Sequence, residues 1–181
     1  MPDPIVIVPY DSKWPKLFLE LGTSLREVLG EIALRIDHIG STSILGLDAK
    51  PIIDVQISVE SFEPLNMYRV PLEGLGFVFR ENNPDLTKRY FREMPGKRRT
   101  HIHVRQRGSW AEQFALLFRD YMRTHAETAK DYAALKYHLV GKYRNDRLSY
   151  TNGKTPFIWE VMAKADKWGQ KIGWQPGLSD M

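Results

Sequence analysis

Residues 38–59 of the 181-residue chain read HIGSTSILGLDAKPIIDVQISV, and this stretch indicates the fold. Residues 52–59 alternate as a strand does, which places an apolar set on one face and a mostly polar set on the other. The apolar set is Ile53, Val55, Ile57 and Val59, and the opposite set is Ile52, Asp54, Gln56 and Ser58. Another strand is predicted over 32–39, and the aperiodic residues 40–50 predict a loop that opens into a short helical turn.

Outward from this centre, the chain predicts a helix first, then strands, then helices. The predicted elements are a helix capped by Asp11 or Ser12 that runs to Leu29, a short helix over 64–75, strands over 77–80, 88–93 and 100–107, and helices over 109–122, over 132–143 and from Thr155–Pro156 onward. Ser109 and Glu112 have the spacing of a capping box at the start of the helix predicted over 109–122. This order predicts an α+β fold with one sheet.

Length and composition predict one domain over residues 1–181, with a sheet-bearing part over about 1–108 and a helical part over about 109–175. The chain has no cysteine, which excludes a disulfide framework and thiolate metal sites. Because no apolar run approaches the ~18 residues of a membrane span, we expect no membrane partner and a cytoplasmic location.

Charge is concentrated in one segment. The formal net charge is only +4, but residues 88–107 contain eight basic residues and the single acid Glu93, so this segment carries +7 and the remainder −3. A local basic excess favours an anionic partner. A solvated sheet face is the alternative interpretation.

The loop after the first strand is the first candidate site. Glycine at position 40 lets the backbone approach a phosphate, and the N–H groups and hydroxyls of Ser41 and Thr42 can form an anion-binding concavity. Asp54, in the next strand, is flanked by apolar residues, where an unpaired carboxylate is costly to bury. It must therefore meet a cation or a protein donor, and a salt bridge to a lysine or arginine is the structural alternative.

The basic strand is the second candidate. Alternation places Arg99, His101, His103 and Arg105 on one face, and imidazole is a common metal ligand. Such neighbours repel one another unless an anion or a metal-bound water lies against them. The G-x-G-x-x-G, G-x-x-x-x-G-K-[ST] and G-x-S-x-G motifs do not occur, which excludes dinucleotide-fold, P-loop and nucleophile-elbow sites.

Several blocks, in a fixed order, resemble the GrpB family, a branch of the nucleotidyltransferase-fold superfamily. The blocks are HIGSTS at 38–43, GL at 46–47, AKPIID at 49–54, YF at 90–91, RTHIHV at 99–104, FRDY at 118–121, LK at 135–136, DR at 146–147, Tyr150 and Lys154. The resemblance covers about residues 6–167. It implies a nucleotidyltransferase-like fold, with a small mixed sheet flanked by helices and a helical C-terminal half.

The resemblance also implies a site. In the superfamily a Gly-Ser pair binds nucleotide phosphates, and an Asp-x-Asp pair with a third acid holds divalent metal. Gly40, Ser41 and Asp54 match the first elements, whereas Gln56 occupies the place of the second acid. No acid takes the third place, because the corresponding strand carries the two histidines.

We therefore expect binding of a nucleotide or phosphorylated metabolite, with nucleotidyl transfer as the expected reaction if the protein is an enzyme. Phosphate would contact Gly40, Ser41 and Thr42, and charge would be neutralised by Arg99 and Arg105, with Lys50 and Lys88 as further candidates. Asp54, His101 and His103 are the expected catalytic residues and ligands of a divalent metal (Mg²⁺, Mn²⁺ or Zn²⁺), so Asp54 and His103 should share one sheet face.

The alternative is a non-catalytic nucleotide- or RNA-binding accessory domain. Tyr90, Phe91 and Trp110 lie in or near the basic segment, and aromatic residues among basic ones are typical of surfaces that bind single-stranded nucleic acid.

Overall fold

A computed structural model describes residues 4–181 of the chain and contains one five-stranded mixed sheet and five α-helices. The strands are β1 (Arg35–Ile39), β2 (Ile53–Val59), β3 (Phe77–Phe79), β4 (Arg89–Glu93) and β5 (Thr100–Gln106). The α-helices are α1 (Trp14–Leu29), α2 (Asn66–Gly74), α3 (Trp110–Thr124), α4 (Ala126–Tyr143) and α5 (Arg147–Ile172), with short 3₁₀ helices at Gly30–Ile32 and Ser41–Ser43. The mixed α+β class expected from the sequence is confirmed.

The strand order is β1-β2-β5-β4-β3, with β2 and β5 parallel and every other pair antiparallel. The parallel pair needs a crossover, which α2, β3 and β4 supply. Its register places Asp54 opposite His101 and Gln56 opposite His103. Residues that are 47 positions apart in the chain are thus side by side on adjacent strands.

One face of the sheet is covered by α1 and α2. The predicted apolar set of β2 packs there against Phe18, Leu25 and Leu72, all of which are buried. His38 belongs to this core too, because its ring stacks on Phe18 with 4.7 Å between centroids. The side-chain alternation predicted for β2 is therefore confirmed.

The opposite face is only partly covered. Helix α3 lies over one end of it, where the Glu112 carboxylate accepts a hydrogen bond from Ser58 and its backbone carbonyl accepts one from Gln56. Arg119 fixes the same helix to β1, through the His38 carbonyl at 3.3 Å and Asp37 at 3.4 Å. We call this region the covered end of the face, and the region around Asp54 the open end.

The three C-terminal helices form a second core. Ile44 and Leu47, from the loop between β1 and β2, are buried in that core, which fixes residues 40–50 between the sheet and the helices. Helices α4 and α5 pack closely at Gly153, where an added Cβ would lie 2.6 Å from a methyl group of Leu139. This close contact brings the first turns of α5 next to α4.

Four details of the sequence prediction need correction. Neither Asp11 nor Ser12 caps α1, because its N-cap position is Lys13, which makes no side-chain capping hydrogen bond. Helix α4 begins at Ala126 rather than at residue 132.

The other two details concern the last helix and the first strand. The last helix begins at Arg147 rather than at Thr155–Pro156, and Asp146 caps it by accepting from Ser149 N–H at 3.0 Å. Pro156 lies inside this helix, although proline is unfavourable there because it cannot donate a backbone hydrogen bond. The first strand begins at Arg35 rather than at residue 32, since a 3₁₀ turn occupies residues 30–32.

Half of the predicted capping box is present. Ser109 Oγ accepts from the Glu112 N–H at 3.3 Å, but the Glu112 carboxylate accepts from the Gly108 N–H, while the Ser109 N–H donates to the Gln106 carbonyl. Among the described residues, no helix is both long enough and apolar enough to cross a membrane.

Candidate functional site

Asp54 and two histidines converge at the open end of the face. His101 Nδ1 lies 3.1 Å from Asp54 Oδ1, and His103 Nε2 lies 3.3 Å from the same oxygen. The three side chains are partly buried and offer three ligand atoms within 4.8 Å of one another. The expectation that Asp54 and His103 share one sheet face is confirmed, because parallel pairing of β2 with β5 aligns the two alternation patterns.

Electrostatics favour an ionised Asp54 beside a neutral His103. Burial alone would raise the pKa of Asp54, but hydrogen bonds from His101 and His103 outweigh it and hold that pKa well below its usual value. Burial lowers the pKa of His103 to about 4, although its contact with Asp54 opposes the shift. At neutral pH, His103 then donates from Nε2–H to the carboxylate, and its Nδ1 is enclosed without a hydrogen-bond partner.

Position 40 requires glycine, both for its backbone conformation and for its closeness to Asp54. Its backbone has φ 70° and ψ −175°, a region that is open almost only to glycine. A Cβ at this position would lie 2.7 Å from Asp54 Oδ2. Glycine therefore allows the loop backbone to lie directly against the carboxylate.

The rest of the loop divides into engaged and free donors. The Thr42 hydroxyl donates to the Ile52 carbonyl at 3.0 Å and also contacts His38 Nε2, so it holds the loop in place. By contrast, within residues 4–181 neither the backbone N–H nor the hydroxyl of Ser41 makes a protein hydrogen bond. Of the two hydroxyls predicted to contact phosphate, that of Ser41 is therefore the free one.

A cavity of about 350 Å³ lies over these groups, and we call it the lysine cavity. Its walls come from the loop, from β2 and β5, and from α4 and α5. The lining residues are Gly40, Ser41, Thr42, Lys50, Ile52, Asp54, His101, His103, Tyr132, Lys136, Tyr150, Thr151 and Lys154. One carboxylate, that of Asp54, thus faces a cavity that three lysines line.

The three lysines are desolvated and carry no ion pair. None of them has a carboxylate within 4.0 Å in the part of the chain that the structure describes. Burial lowers the pKa of Lys136 to about 7 and that of Lys50 to about 8, and neighbouring lysines add to both shifts. Lys154, whose pKa burial also lowers, lies 4.9 Å from the centroid of the Tyr150 ring.

The three lysines lie close to tyrosine rings instead of carboxylates. Lys50 lies 5.0 Å from the centroid of the Tyr150 ring, and Lys136 lies 4.7 Å from that of Tyr132. The Lys136 ammonium also donates to the Asp48 carbonyl. The Tyr150 hydroxyl is fully buried without a hydrogen-bond partner. Such desolvated, uncompensated groups in a cavity are typical of a binding or catalytic site.

The basic residues expected from the sequence are distributed differently. Lys50 lines the lysine cavity, but Arg99 lines a neighbouring one and contacts Glu93, with Arg99 Nε 3.3 Å from Glu93 Oε1. Lys88 pairs with Asp85 at 3.5 Å, and Arg105 donates to Thr87 at 3.3 Å. Neither of these two residues lines the lysine cavity.

Lys136, Tyr150 and Lys154 were missed as site residues. Their signal was in the sequence: Lys136 lies four residues after Tyr132 and three before Leu139, on the buried stripe of α4. Lys154 lies between Tyr150 and Val161 on the corresponding stripe of α5. A lysine on an apolar helix stripe needs a special environment, because its ammonium is costly to bury.

The donor set fits a divalent metal. Ligands about 2.1 Å from a tetrahedral metal lie about 3.4 Å from one another, close to the 3.1 Å and 3.3 Å contacts of the histidines with Asp54. Two imidazoles and one carboxylate favour Zn²⁺, Mn²⁺ or Fe²⁺ over Mg²⁺, which prefers oxygen. Because lysines surround the set, a metal that arrives with phosphate suits it better than a bare cation.

Gln56 supplies no further ligand. It is fully buried at the covered end, where its amide nitrogen lies 3.4 Å from the Glu112 carbonyl, and it does not line the lysine cavity. Helix α3 therefore separates Gln56 from the lysine cavity.

The sequence of the chain is similar to that of a known family and of two of its members. The sequence model of the family described as "GrpB protein" matches residues 4–164. A UPF0157 protein of Pseudomonas aeruginosa is 38% identical over 167 residues, which are 90% of this chain and 68% of the relative. A UPF0157 protein of Bacillus subtilis is 36% identical over 164 residues, which are 91% of this chain but 48% of the relative. The chain thus spans about half the length of the second relative.

Solved structures show the same fold. The crystal structure of the conserved protein GrpB from Enterococcus faecalis superposes with a TM-score of 0.82, at 32% identity, over 90% of this chain and 98% of that one. The Cid1 poly(U) polymerase, in a structure with Mg 3'-dATP bound, gives a TM-score of 0.55 at 16% identity, over 81% of this chain and 49% of that one. The fold is therefore nucleotidyltransferase-like, as the resemblance implied.

Proposed function

The chain belongs to the GrpB family, and from this membership and the geometry of the site we propose that it binds a nucleotide or phosphorylated metabolite in the lysine cavity. One observation carries the proposal: three desolvated lysines without ion pairs converge on a cavity that also contains Asp54 and the free donors of Ser41. A polyphosphate supplies the negative charge that this cavity lacks. It would replace lost hydration with charge-assisted hydrogen bonds, which are stronger than neutral ones.

Each part of the cavity then has a role. Lys50, Lys136 and Lys154 would bind the phosphates, and Ser41 would donate to a phosphate oxygen beside Gly40. Asp54, His101 and His103 would hold a divalent metal, which would stabilise the charge of the phosphate being transferred. Tyr150 would supply its hydroxyl as a further donor to the ligand.

The reaction that suits this arrangement is nucleotidyl transfer. The acceptor oxygen would form a bond to the α-phosphorus, the bond from that phosphorus to the bridging oxygen would break, and pyrophosphate would leave. The hydroxyl proton of the acceptor would pass to a water molecule, because a His101 that holds the metal through Nδ1 already carries a proton on Nε2 and cannot accept another.

Calorimetry with ATP, GTP, CTP and UTP in the presence of Mn²⁺ tests the binding. A charge-assisted hydrogen bond contributes about 1.5–3 kcal/mol, so Lys154→Gln should weaken the preferred nucleotide roughly ten- to a hundredfold. Lys130→Gln is the matched control, since Lys130 is an exposed lysine on α4 whose partner is Glu127. If no nucleotide binds, or if both variants bind like the wild type, the proposal is wrong.

Mn²⁺ titration with and without tripolyphosphate tests the metal. We expect weak binding of Mn²⁺ alone, because the lysines repel it, and at least tenfold tighter binding when tripolyphosphate is present. Asp54→Asn should remove this gain and thereby separate it from direct association of Mn²⁺ with tripolyphosphate. An unchanged gain in Asp54→Asn would mean that these three side chains do not hold the metal.

One observation favours binding without transfer as a second candidate function. Because Gln56 is buried under α3, the site offers one carboxylate where the superfamily pattern has two or more. A protein of this kind would bind nucleotide or RNA as an accessory domain. Incubation with α-phosphate-labelled nucleotide, Mn²⁺ and a hydroxyl-bearing acceptor such as glycerol 3-phosphate distinguishes the two, since only transfer moves the label onto the acceptor.

A further inference from the structure

A second cavity opens beside the lysine cavity and shares part of its wall. It has a volume of about 450 Å³, and its lining includes the basic residues Arg92, Arg99 and Arg147 and the apolar residues Ile5, Val6 and Pro51. We call it the arginine cavity. Lys50 and His101 line both cavities.

Positive charge exceeds negative charge in the arginine cavity. No acid lines it among the described residues, and Glu93 is the carboxylate nearest to two of its arginines. Arg92 Nη2 lies 2.8 Å from Glu93 Oε1, and Arg99 Nε lies 3.3 Å from the same oxygen. One carboxylate shared by two guanidinium groups neutralises only one of them. Arg147 has no carboxylate within 4.0 Å in residues 4–181.

The guanidinium groups also have unused donors. The Nε atoms of Arg92 and Arg99 are enclosed and make no hydrogen bond, although Arg99 Nε is close to Glu93. Guanidinium presents several N–H groups in a fixed plane that matches phosphate and carboxylate. Lys50, which has no ion pair either, adds a further positive charge at the boundary with the lysine cavity.

The rest of the wall indicates a small organic molecule rather than a polynucleotide. Ile5, Val6 and Pro51 provide an apolar surface for a carbon skeleton. Tyr90 lines the cavity, but its ring packs against those of His101 and His103, with centroid distances of 5.6 Å and 5.3 Å, and the Lys88 ammonium lies over it, 5.0 Å from its centroid. It is therefore not free to stack on a base, which single-stranded nucleic-acid sites require of their aromatic residues.

The location of the arginine cavity, next to His101, indicates what its ligand could do. His101 separates the two cavities and contacts Asp54. A molecule whose anionic group lies among the arginines would have its neighbouring atoms beside His101, opposite a nucleotide in the lysine cavity.

We propose that the arginine cavity binds the acceptor of the transfer, a small molecule that carries a hydroxyl group and a phosphate group on a short carbon skeleton. This assignment rests on the proposed function, because an acceptor is needed only if a nucleotide is bound as donor. The binding of a phosphate monoester in this cavity is nevertheless measurable by itself.

The experiment is a pair of calorimetric titrations of the full chain, with glycerol 3-phosphate as the probe of the arginine cavity and tripolyphosphate as the probe of the lysine cavity. Arg147→Gln should weaken glycerol 3-phosphate at least tenfold and change tripolyphosphate less than threefold. Lys154→Gln should do the reverse. Arg144→Gln, in the turn before α5, is the matched control, because Arg144 is exposed and lines neither cavity.

The two proposals can fail separately. Lack of tripolyphosphate binding would contradict the proposed function. Two results with glycerol 3-phosphate would overturn the acceptor site: no binding to the wild type, or equal affinity in Arg147→Gln and Arg144→Gln. A third is that Lys154→Gln binds neither glycerol 3-phosphate nor tripolyphosphate, which would indicate one common anion site. Binding of an eight-nucleotide RNA that is tighter than that of glycerol 3-phosphate, and is weakened by Arg147→Gln, would also overturn the assignment to a small molecule.

Discussion

Two carboxylates meet the same face of the sheet at its opposite ends, and their surroundings differ. Glu112, at the covered end, is fully buried and accepts hydrogen bonds from Ser58, from the Gly108 N–H at 2.6 Å and from Gln113 at 3.0 Å. Asp54, at the open end, is 24% exposed and accepts from two imidazoles. The first is surrounded by neutral donors, and the second faces a cavity lined by lysines.

The difference separates a structural carboxylate from one that we assign to function. At the covered end every oxygen of Glu112 has a protein donor, so nothing remains for a ligand. At the open end the positive charges exceed the negative ones, and the hydroxyls of Ser41 and Tyr150 are unused. Folding alone does not require such an excess of positive charge, whereas binding of an anion does.

The largest effect that tests this contrast is on stability. Glu112→Ala would leave Ser58 and the Gly108 N–H without partners beneath α3, and we expect it to lower the free energy of unfolding by about 2–4 kcal/mol. Asp54→Asn should lower it less, because the amide oxygen can still accept from a histidine. Urea denaturation measures both values.

Nucleotide binding should show the opposite order. Glu112→Ala, measured where it is folded, should bind nucleotide like the wild type, and Asp54→Asn should not. If the two variants lose the same stability and the same affinity, then the two ends of the face do not differ as described.

The strands and their facing were accessible from the sequence because these features are local. Period-two alternation in β2 and β5 fixes which side chains share a face. Once the two strands are neighbours, Asp54, His101 and His103 must converge. Gly40 was recognised as well, although its close approach is to Asp54 and its role towards phosphate stays a prediction.

The helical wall of the site was not accessible in the same way. Lys136 and Lys154 are 82 and 100 positions from Asp54, and only the packing of α4 and α5 on the loop brings them together. The start of α5 was misplaced because its first turns are polar and contain Gly153 and Pro156, both of which are unfavourable inside helices. The partner of Arg99 was missed because Glu93 belongs to β4, and the pairing of β4 with β5 depends on the tertiary fold.

The next effect concerns the pH dependence of stability. Folding lowers the pKa of Lys136 from 10.5 to about 7, so the unfolded state binds more protons between these values and wild-type stability rises with pH. The destabilisation is complete below pH 7. The stability of Lys136→Met relative to wild type should therefore fall by about 2 kcal/mol between pH 7 and pH 9.

Lys130→Met is the control for this measurement, because Lys130 lies on the same helix but in solvent. Its stability relative to wild type should not change over the same pH range. Denaturation curves at the two pH values suffice, and an equal shift in both variants would show that burial of Lys136 is not the cause.

The smallest effect is a proton taken up on binding, and it connects the lysines to the ligand. In the free protein the pKa of Lys136 is lowered to about 7 and that of Lys50 to about 8, so both are partly neutral at pH 8. A bound polyphosphate favours the charged ammonium and raises both pKa values, which requires uptake of between about one and two protons. Affinity should then fall more than about tenfold per pH unit above pH 8. Titration of ATP in two buffers of different ionisation enthalpy gives the number of protons directly.

Ser58→Ala, at the covered end, should leave that number unchanged, and Lys136→Met should reduce it. Two results would contradict this prediction: the same proton uptake in Lys136→Met as in the wild type, or release of protons by the wild type. Either would mean that the anion does not lie against these lysines, and that the open end is not a binding site distinct from the structural, covered end.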